Sequence, residues 1–231
     1  LVGAGALALA ALTGLTVVVL GPETYRAYIQ DVLPEIHWFR VGWNNASLMG
    51  FWSRLFDPAP ERERLRSRTE PLLYSPALAR AGAWLSSALV VAVLAWVVRR
   101  VRARADEDLA FGLAVTAMLL ISPIAWDHYF LLLLVPLTVV WLGLPPSRWA
   151  KLSLLAIVLT LWLNPAVLWT AFDLGGRVAR PIHALTVLSC PMYALLGLFS
   201  LGILELNGGS RGMGPASSAS GDNTQMAGGS D

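Results

Sequence analysis

The chain has 231 residues, of which 56% are hydrophobic and only 14% are Asp, Glu, Lys or Arg, against about 45–50% apolar and about 25% charged in ordinary soluble domains. Six runs carry no charged residue at all, namely Leu1 to Leu20, Gly82 to Val98, Leu109 to Ile121, Phe130 to Leu144, Leu152 to Leu163 and Ala184 to Leu204, which excludes a soluble domain and describes an all-α, polytopic membrane bundle. A net charge of +2 with basic residues in short clusters gives no ground for a nucleic-acid partner, and Cys190, the single cysteine, excludes an intrachain disulfide and a four-cysteine zinc site.

A helix needs about 20 apolar residues to cross a hydrocarbon core of about 30 Å, and Leu1 to Leu20 meets that length as the first of six expected spans. Because this run begins at Leu1 without an initiator Met or a charged n-region, the chain reads as the C-terminal part of a longer protein rather than as one opening with a signal peptide. Pro22 ends the span. From Gly21 to Ser75 the chain is polar with Trp38, Trp43, Phe51 and Trp52 interspersed, the pattern of a partly helical loop at the membrane interface.

The second span is expected from Pro76 to Val98, stopped by Arg99, Arg100, Arg102 and Arg104. Leu109 to Ser122 and His128 to Leu144 follow as a tight helical hairpin around the break Ser122-Pro123-Ile124-Ala125-Trp126-Asp127. Pro145-Pro146 closes it; a fifth span covers Trp149 to Trp169 and a sixth Ile182 to Leu204. Residues 1–206 thus form one transmembrane region with an outer loop over 21–75, and residues 207–231, rich in Gly, Ser and Asn, a disordered tail.

Short loops set orientation by their Arg and Lys. Arg99, Arg100, Arg102, Arg104, Arg148 and Lys151 fall on one side, whereas the hairpin break and the Ala171 to Pro181 loop on the other hold only Arg177 and Arg180. The large loop and hairpin tip are therefore expected outside a plasma membrane, with the tail cytoplasmic. Seven Arg in the large loop, among them Arg26 and Arg40, oppose this assignment and are matched by seven acidic residues. Sixteen of the 17 basic residues are Arg, the bias of a GC-rich, bacterial genome.

Asp127 and His128 stand at the tip of two short spans, close to the membrane face, where ionisable groups are costly unless they face a polar cavity. They are site candidates, although Asp127 can equally N-cap the following helix. In Trp43-Asn44-Asn45-Ala46-Ser47, Asn and Ser precede an apolar helical face of Leu48, Phe51, Trp52 and Leu55, which predicts a capped interfacial helix; its amides, hydroxyl and Arg54 are suited to a cleft for sugar or phosphate. His37, beside Trp38 and Arg40, and His183, after Arg177 and Arg180, are further candidates with simpler readings as a solvated histidine and a helix-end anchor.

The block Leu120 to Tyr129, with Ser122-Pro123-Ile124-Ala125-Trp126-Asp127-His128 at its centre and Pro136 beyond, resembles the signature of glycosyltransferase family 87, the polyprenol-phosphate-mannose-dependent membrane enzymes of the GT-C superfamily. Asn45-Ala46-Ser47-Leu48 with Arg54 resembles a second motif of that family, with Ala46 where a Gln-like residue is expected. The likeness extends over most of Trp43 to Leu204. It implies inverting transfer of a hexose, mannose by analogy, from a polyprenyl-phosphate donor to a lipid or glycan acceptor at the outer face, without a cofactor and with a divalent metal left open. By that analogy Asp127 and His128 position substrate or phosphate, and Asn45, Ser47, Arg54, Trp126 and Tyr129 bind substrate. The main base, an Asp of the first outer loop, is expected upstream of Leu1, so this chain alone should be inactive. A multi-span transporter or flippase, or a non-catalytic membrane scaffold, shares the hydropathy, but the single hairpin break has no counterpart in a second repeat.

Overall fold

The computed structural model describes residues 2–42, 44–57, 69–101, 104–144, 147–163, 167, 171 and 179–209. Within them the chain is helical and forms no β-strand beyond an isolated bridge between Thr69 and Ala179. The all-α fold class is what the composition implied.

Helix α1 (Val2–Leu20) is apolar on every side, and Leu7, Leu9, Leu12, Leu15 and Val18 are exposed along it. Such a helix is solvated by lipid rather than by water. It ends at Gly21, whose φ of 82° permits a turn that other residues resist, and the following helix leaves at 108°. That helix comprises α2 (Pro22–Ala27), a π-helical turn (Tyr28–Val32) and α3 (Leu33–Arg40).

A short loop leads to α4 (Leu48–Phe56), which lies along α5 (Pro76–Val98). Trp52 fixes this pairing: its indole rests where a Cβ on Gly82 would stand 2.3 Å from Cδ2, and its Nε1 donates to Ser86 Oγ at 3.2 Å. In α5 a narrow stripe of Ala79, Ala83, Val90 and Val97 is buried while Trp84, Leu85, Leu89 and Trp96 face outward. Arg100 closes the lower end over the Trp96 ring, 3.9 Å from its centroid.

Helix α6 (Arg104–Ile121) is the central element, packed against α5, α7 (Leu134–Gly143) and α10 (Cys190–Gly209). Small residues allow the close approach usual between membrane helices. A Cβ on Gly112 would lie 3.0 Å from Pro136 Cα, and one on Gly202 would lie 2.7 Å from Leu113 Cδ2. Leu113, Ala117, Leu120, Leu133, Val140, Leu195, Leu198 and Phe199 form the core of the bundle. Helix α8 (Arg148–Trp162) packs against α10 from the other side.

The expected hairpin is present, but its second arm begins with a 3-10 helix, Asp127–Leu133, before becoming α-helical. The expected sixth span is likewise interrupted. It runs as α9 (Pro181–Leu185), a 3-10 turn (Val187–Ser189) and α10, with Pro191, which lacks an N–H, just after the interruption. Among the described residues two helices are long and apolar enough to cross a membrane, Pro76–Val98 and Pro181–Asn207, or three if the bent pair at Gly21 is one span, against the six spans expected. The others fall short of that test for physical reasons: α6 has charged residues Asp106 and Glu107 in its first turn, and the helices from Asp127 to Gly143 and from Arg148 to Trp162 are short. Trp43, Pro145, Pro146, Trp169, Arg177 and the tail beyond Gly209 lie outside the described residues, as does the side chain of His37.

Candidate functional site

Three interruptions of helical structure meet at one end of the bundle: the loop before α4, the hairpin break and the 3-10 turn before α10. Interrupted helices leave backbone N–H and C=O groups without intrahelical partners, and at membrane depth these must be satisfied by the protein itself. Here Asn45, in the first interruption, and Arg54, on the helix α4 that follows it, satisfy groups of all three.

Asn45 is fully buried and uses both ends of its amide. Its Nδ2 donates to Arg40 O at 2.9 Å and to Pro123 O at 3.0 Å, while its Oδ1 accepts from Ser47 N at 3.1 Å and from Ala125 N at 2.9 Å. The adjacent Ala46 N donates to Ala125 O at 2.8 Å. Gly50 leaves room for this arrangement, since a Cβ there would stand 2.7 Å from Asn45 Cγ. Ser47 caps α4, its Oγ accepting from Gly50 N at 3.0 Å, as the sequence suggested.

Arg54 is also fully buried. One terminal nitrogen donates to Gly42 O (3.1 Å) and Asn45 O (2.8 Å); the other donates to Leu188 O (3.2 Å) and Ser189 Oγ (3.3 Å). Its Nε has no partner among the described residues. Burial lowers the guanidinium from its ordinary value to about 10, with Tyr193 acting in the opposite direction, so Arg54 is a cation at neutral pH. The face of α4 carrying Ser53 and Arg54 is therefore as buried as the apolar face that an interfacial helix would bury.

Asp127 and His128 lie on the outer side of this knot, with about half of each side chain accessible: 49% and 59%. Trp126 holds the N-cap position of the 3-10 helix, and Asp127 Oδ1 instead accepts the His128 amide at 3.1 Å. The His128 ring stands 3.8 Å from the Asp127 carboxylate, 4.4 Å from the Tyr129 ring and 5.5 Å from the Trp126 ring; Phe39 meets Trp126 edge-on at 5.4 Å. The Trp126 indole N–H is buried without an acceptor among the described residues. Among those residues no three His, Cys, Asp or Glu side chains converge as metal ligands.

A cleft of about 500 Å3 opens beside this cluster between the 3-10 helix, α7, α8 and the start of α10. Ten residues line it, and only Asn44 and Asp127 are polar; Phe130, Leu134, Leu137, Leu161 and Trp162 belong to the apolar remainder. A mostly apolar lining with a few polar groups is the composition of small-molecule sites in general.

The structure thus brings Asn45, Ser47 and Arg54 together with Trp126, Asp127, His128 and Tyr129, but in two layers. The first three face protein groups; Asp127, His128 and Tyr129 are exposed. His183 stands apart in a cap, its Nδ1 accepting the Arg180 amide at 3.2 Å. The sequence placed Asn44 among the amides suited to a cleft, where it is found, but gave no role to Ser189 or Pro191. The Ser189-Cys190-Pro191 interruption inside an apolar run was the one local signal for the latter two.

Residues 1–123, just over half of the chain, match the model of glycosyltransferase family 87. The match takes in Asn45, Ser47 and Arg54 and stops at Pro123, ahead of Trp126, Asp127, His128 and Tyr129; it begins and ends earlier than the stretch from Trp43 to Leu204 over which the resemblance was read. No curated protein and no solved structure matches the chain.

Proposed function

The chain belongs to glycosyltransferase family 87, a family of membrane glycosyltransferases, and we propose that it takes its sugar, mannose by family analogy, from a polyprenyl phosphate and passes it to a lipid or glycan acceptor at the outer face of a bacterial plasma membrane. The observation that carries this reading is the amphiphilic cleft. Its apolar lining suits an isoprenoid chain, and of its two polar residues, Asn44 and Asp127, the second is next in sequence to the exposed His128 and Tyr129. A nucleotide sugar, which is polar throughout, would leave most of that lining unused.

In inverting transfer the acceptor hydroxyl oxygen bonds to the anomeric carbon as the bond to the phosphate oxygen breaks; the hydroxyl proton goes to a base and the electron pair leaves with the polyprenyl phosphate. His128 is suited to donate to the leaving phosphate. Asp127 would repel that phosphate and is instead suited to accept from hydroxyls of the sugar or the acceptor. The main base is proposed in a segment that precedes Leu1. The region 1–206 is proposed to be the membrane part, with the loop over 21–75 outside and residues 207–231 as a cytoplasmic tail. No cofactor is proposed.

Donor preference tests this reading. Proteoliposomes of the intact enzyme, given radiolabelled mannose either on a polyprenyl phosphate or on a nucleotide, should transfer label only from the lipid-linked donor. Transfer from the nucleotide donor without a lipid intermediate would overturn it.

A further inference from the structure

Arg54 sits in an unusual position for a charged residue. It is fully buried, it is a cation, and none of its four acceptors is a carboxylate. An isolated buried charge is costly, and burial is tolerated when hydrogen-bond acceptors surround it. Here all four N–H groups on the two terminal nitrogens are engaged, which a lysine's single ammonium cannot reproduce because the acceptors lie on two separate segments.

Those segments carry residues of the cleft. Asn44, between Gly42 and Asn45 in the chain, lines it, and so does Pro191, just after Leu188 and Ser189. A third cleft residue, Asp127, is tied in through Asn45, whose Oδ1 holds Ala125 N two residues earlier. Arg54 itself is not among the cleft residues. Its reach to the chemistry is through backbone: Arg54 fixes the Asn45 carbonyl, Asn45 fixes the hairpin break, and the break sets where Asp127 and His128 stand.

We propose that Arg54 is the positioning residue of the transfer site, a buried guanidinium that locks three helix interruptions together so that Asn44, Asp127 and Pro191 hold the cleft in shape without Arg54 touching substrate. This rests on the reading of the cleft as the donor site, and it replaces a direct phosphate-binding role for Arg54 with an indirect one. The geometry that sets these three residues should affect the reaction step more than capture of the long apolar chain, which the apolar lining of the cleft provides.

The test is a double-mutant cycle in the intact enzyme, with Arg54→Lys, Asp127→Asn and the pair assayed on a lipid-linked donor, beside Ser189→Ala, which removes a single contact and keeps the guanidinium. Arg54→Lys should lower kcat by about tenfold or more with the donor KM within about threefold, Ser189→Ala should lower kcat by less, and in the Asp127→Asn background Arg54→Lys should cost less than about twofold, because residues that act through one another are not additive. Losses that multiply independently, or an unchanged kcat in Arg54→Lys, would overturn the proposal. A second readout does not need turnover. With Cys190 replaced by Ser, a cysteine in place of Asn44 should react faster with a water-soluble maleimide when Arg54→Lys or Ser189→Ala loosens the cleft, and an unchanged rate in both variants would overturn the proposal. If Asp127→Asn leaves turnover intact, the donor-site reading fails by itself, and the labelling rates still decide the role of Arg54.

Discussion

Asn45 offers the sharpest test of how the three interruptions are held. Replacing it by Ala removes four hydrogen bonds, two donated to Arg40 O and Pro123 O and two accepted from Ser47 N and Ala125 N. At a net ~1 kcal/mol each, the loss is about 4 kcal/mol, and for a domain of this size about 2–4 °C per kcal/mol places the thermal midpoint about 8–16 °C lower. Asn45→Asp is the informative companion because it keeps the shape and both acceptor positions, yet sets an oxygen where Nδ2 donated at 2.9 and 3.0 Å. It should therefore destabilise at least as much as Ala, whereas a packing effect would make it the milder change. Asn44→Ala, on the cleft wall next door, should move the midpoint by less than about 2 °C, the range of an ordinary surface change. The ten tryptophans make intrinsic fluorescence in detergent a direct assay of unfolding. A midpoint for Asn45→Ala within about 2 °C of wild type would refute the reasoning, since the summed hydrogen bonds allow no such result.

Further outcomes follow from other parts of the molecule. Asp127→Asn and His128→Ala should each lower turnover by about 10²-fold, the scale of a lost transition-state contact, while leaving the thermal midpoint close to wild type because both side chains are half accessible; normal turnover in matched, folded variants would leave the pair a purely structural role. Gly82→Ala places a Cβ 2.3 Å from Trp52 Cδ2 and should cost about 1–3 kcal/mol by overpacking, read as a lower midpoint with altered tryptophan emission as α4 lifts from α5. Burial lowers Arg54 in the folded state to about 10, below its solvated value, so the unfolded state binds more protons only above about pH 10 and stability can rise with pH only there. The difference in midpoint between wild type and Arg54→Gln should accordingly stay flat from about pH 6 to about pH 9, and a slope in that range would show that the guanidinium titrates there.

The parts of this structure that sequence made legible are those set by local chemistry. Uncharged runs marked the bundle, Pro22 and Gly21 marked the end of α1, Ser122-Pro123 marked the hairpin break, and Ser47 marked the start of α4. What was not legible depends on partners far along the chain. The Asn45 amide bonds to Ala125, eighty positions away, and Arg54 to Ser189, further still; no spacing rule connects them. An arginine on an interfacial helix reads as a group lining a cleft for sugar or phosphate, and only the meeting of three interruptions turns it inward onto backbone carbonyls. Charge-free runs alone do not settle the span count: among the described residues α6 begins with charged residues and the Asp127–Leu133 segment is 3-10 rather than α-helical, so two or three helices meet the length and composition for a span.

The cleft beside Asp127 is proposed to hold a polyprenyl-linked donor with its sugar at Asn44 and Asp127 and its phosphate toward His128. Photocrosslinking with a polyprenyl-phosphate sugar carrying a diazirine on its isoprenoid chain, followed by peptide mass spectrometry, tests it most directly. Label should fall on Phe130, Leu134, Leu137 and Leu161 in the cleft and be displaced by unlabelled donor. Label confined to the outward face of α5, on Leu85 and Leu89, and indifferent to unlabelled donor would contradict the account.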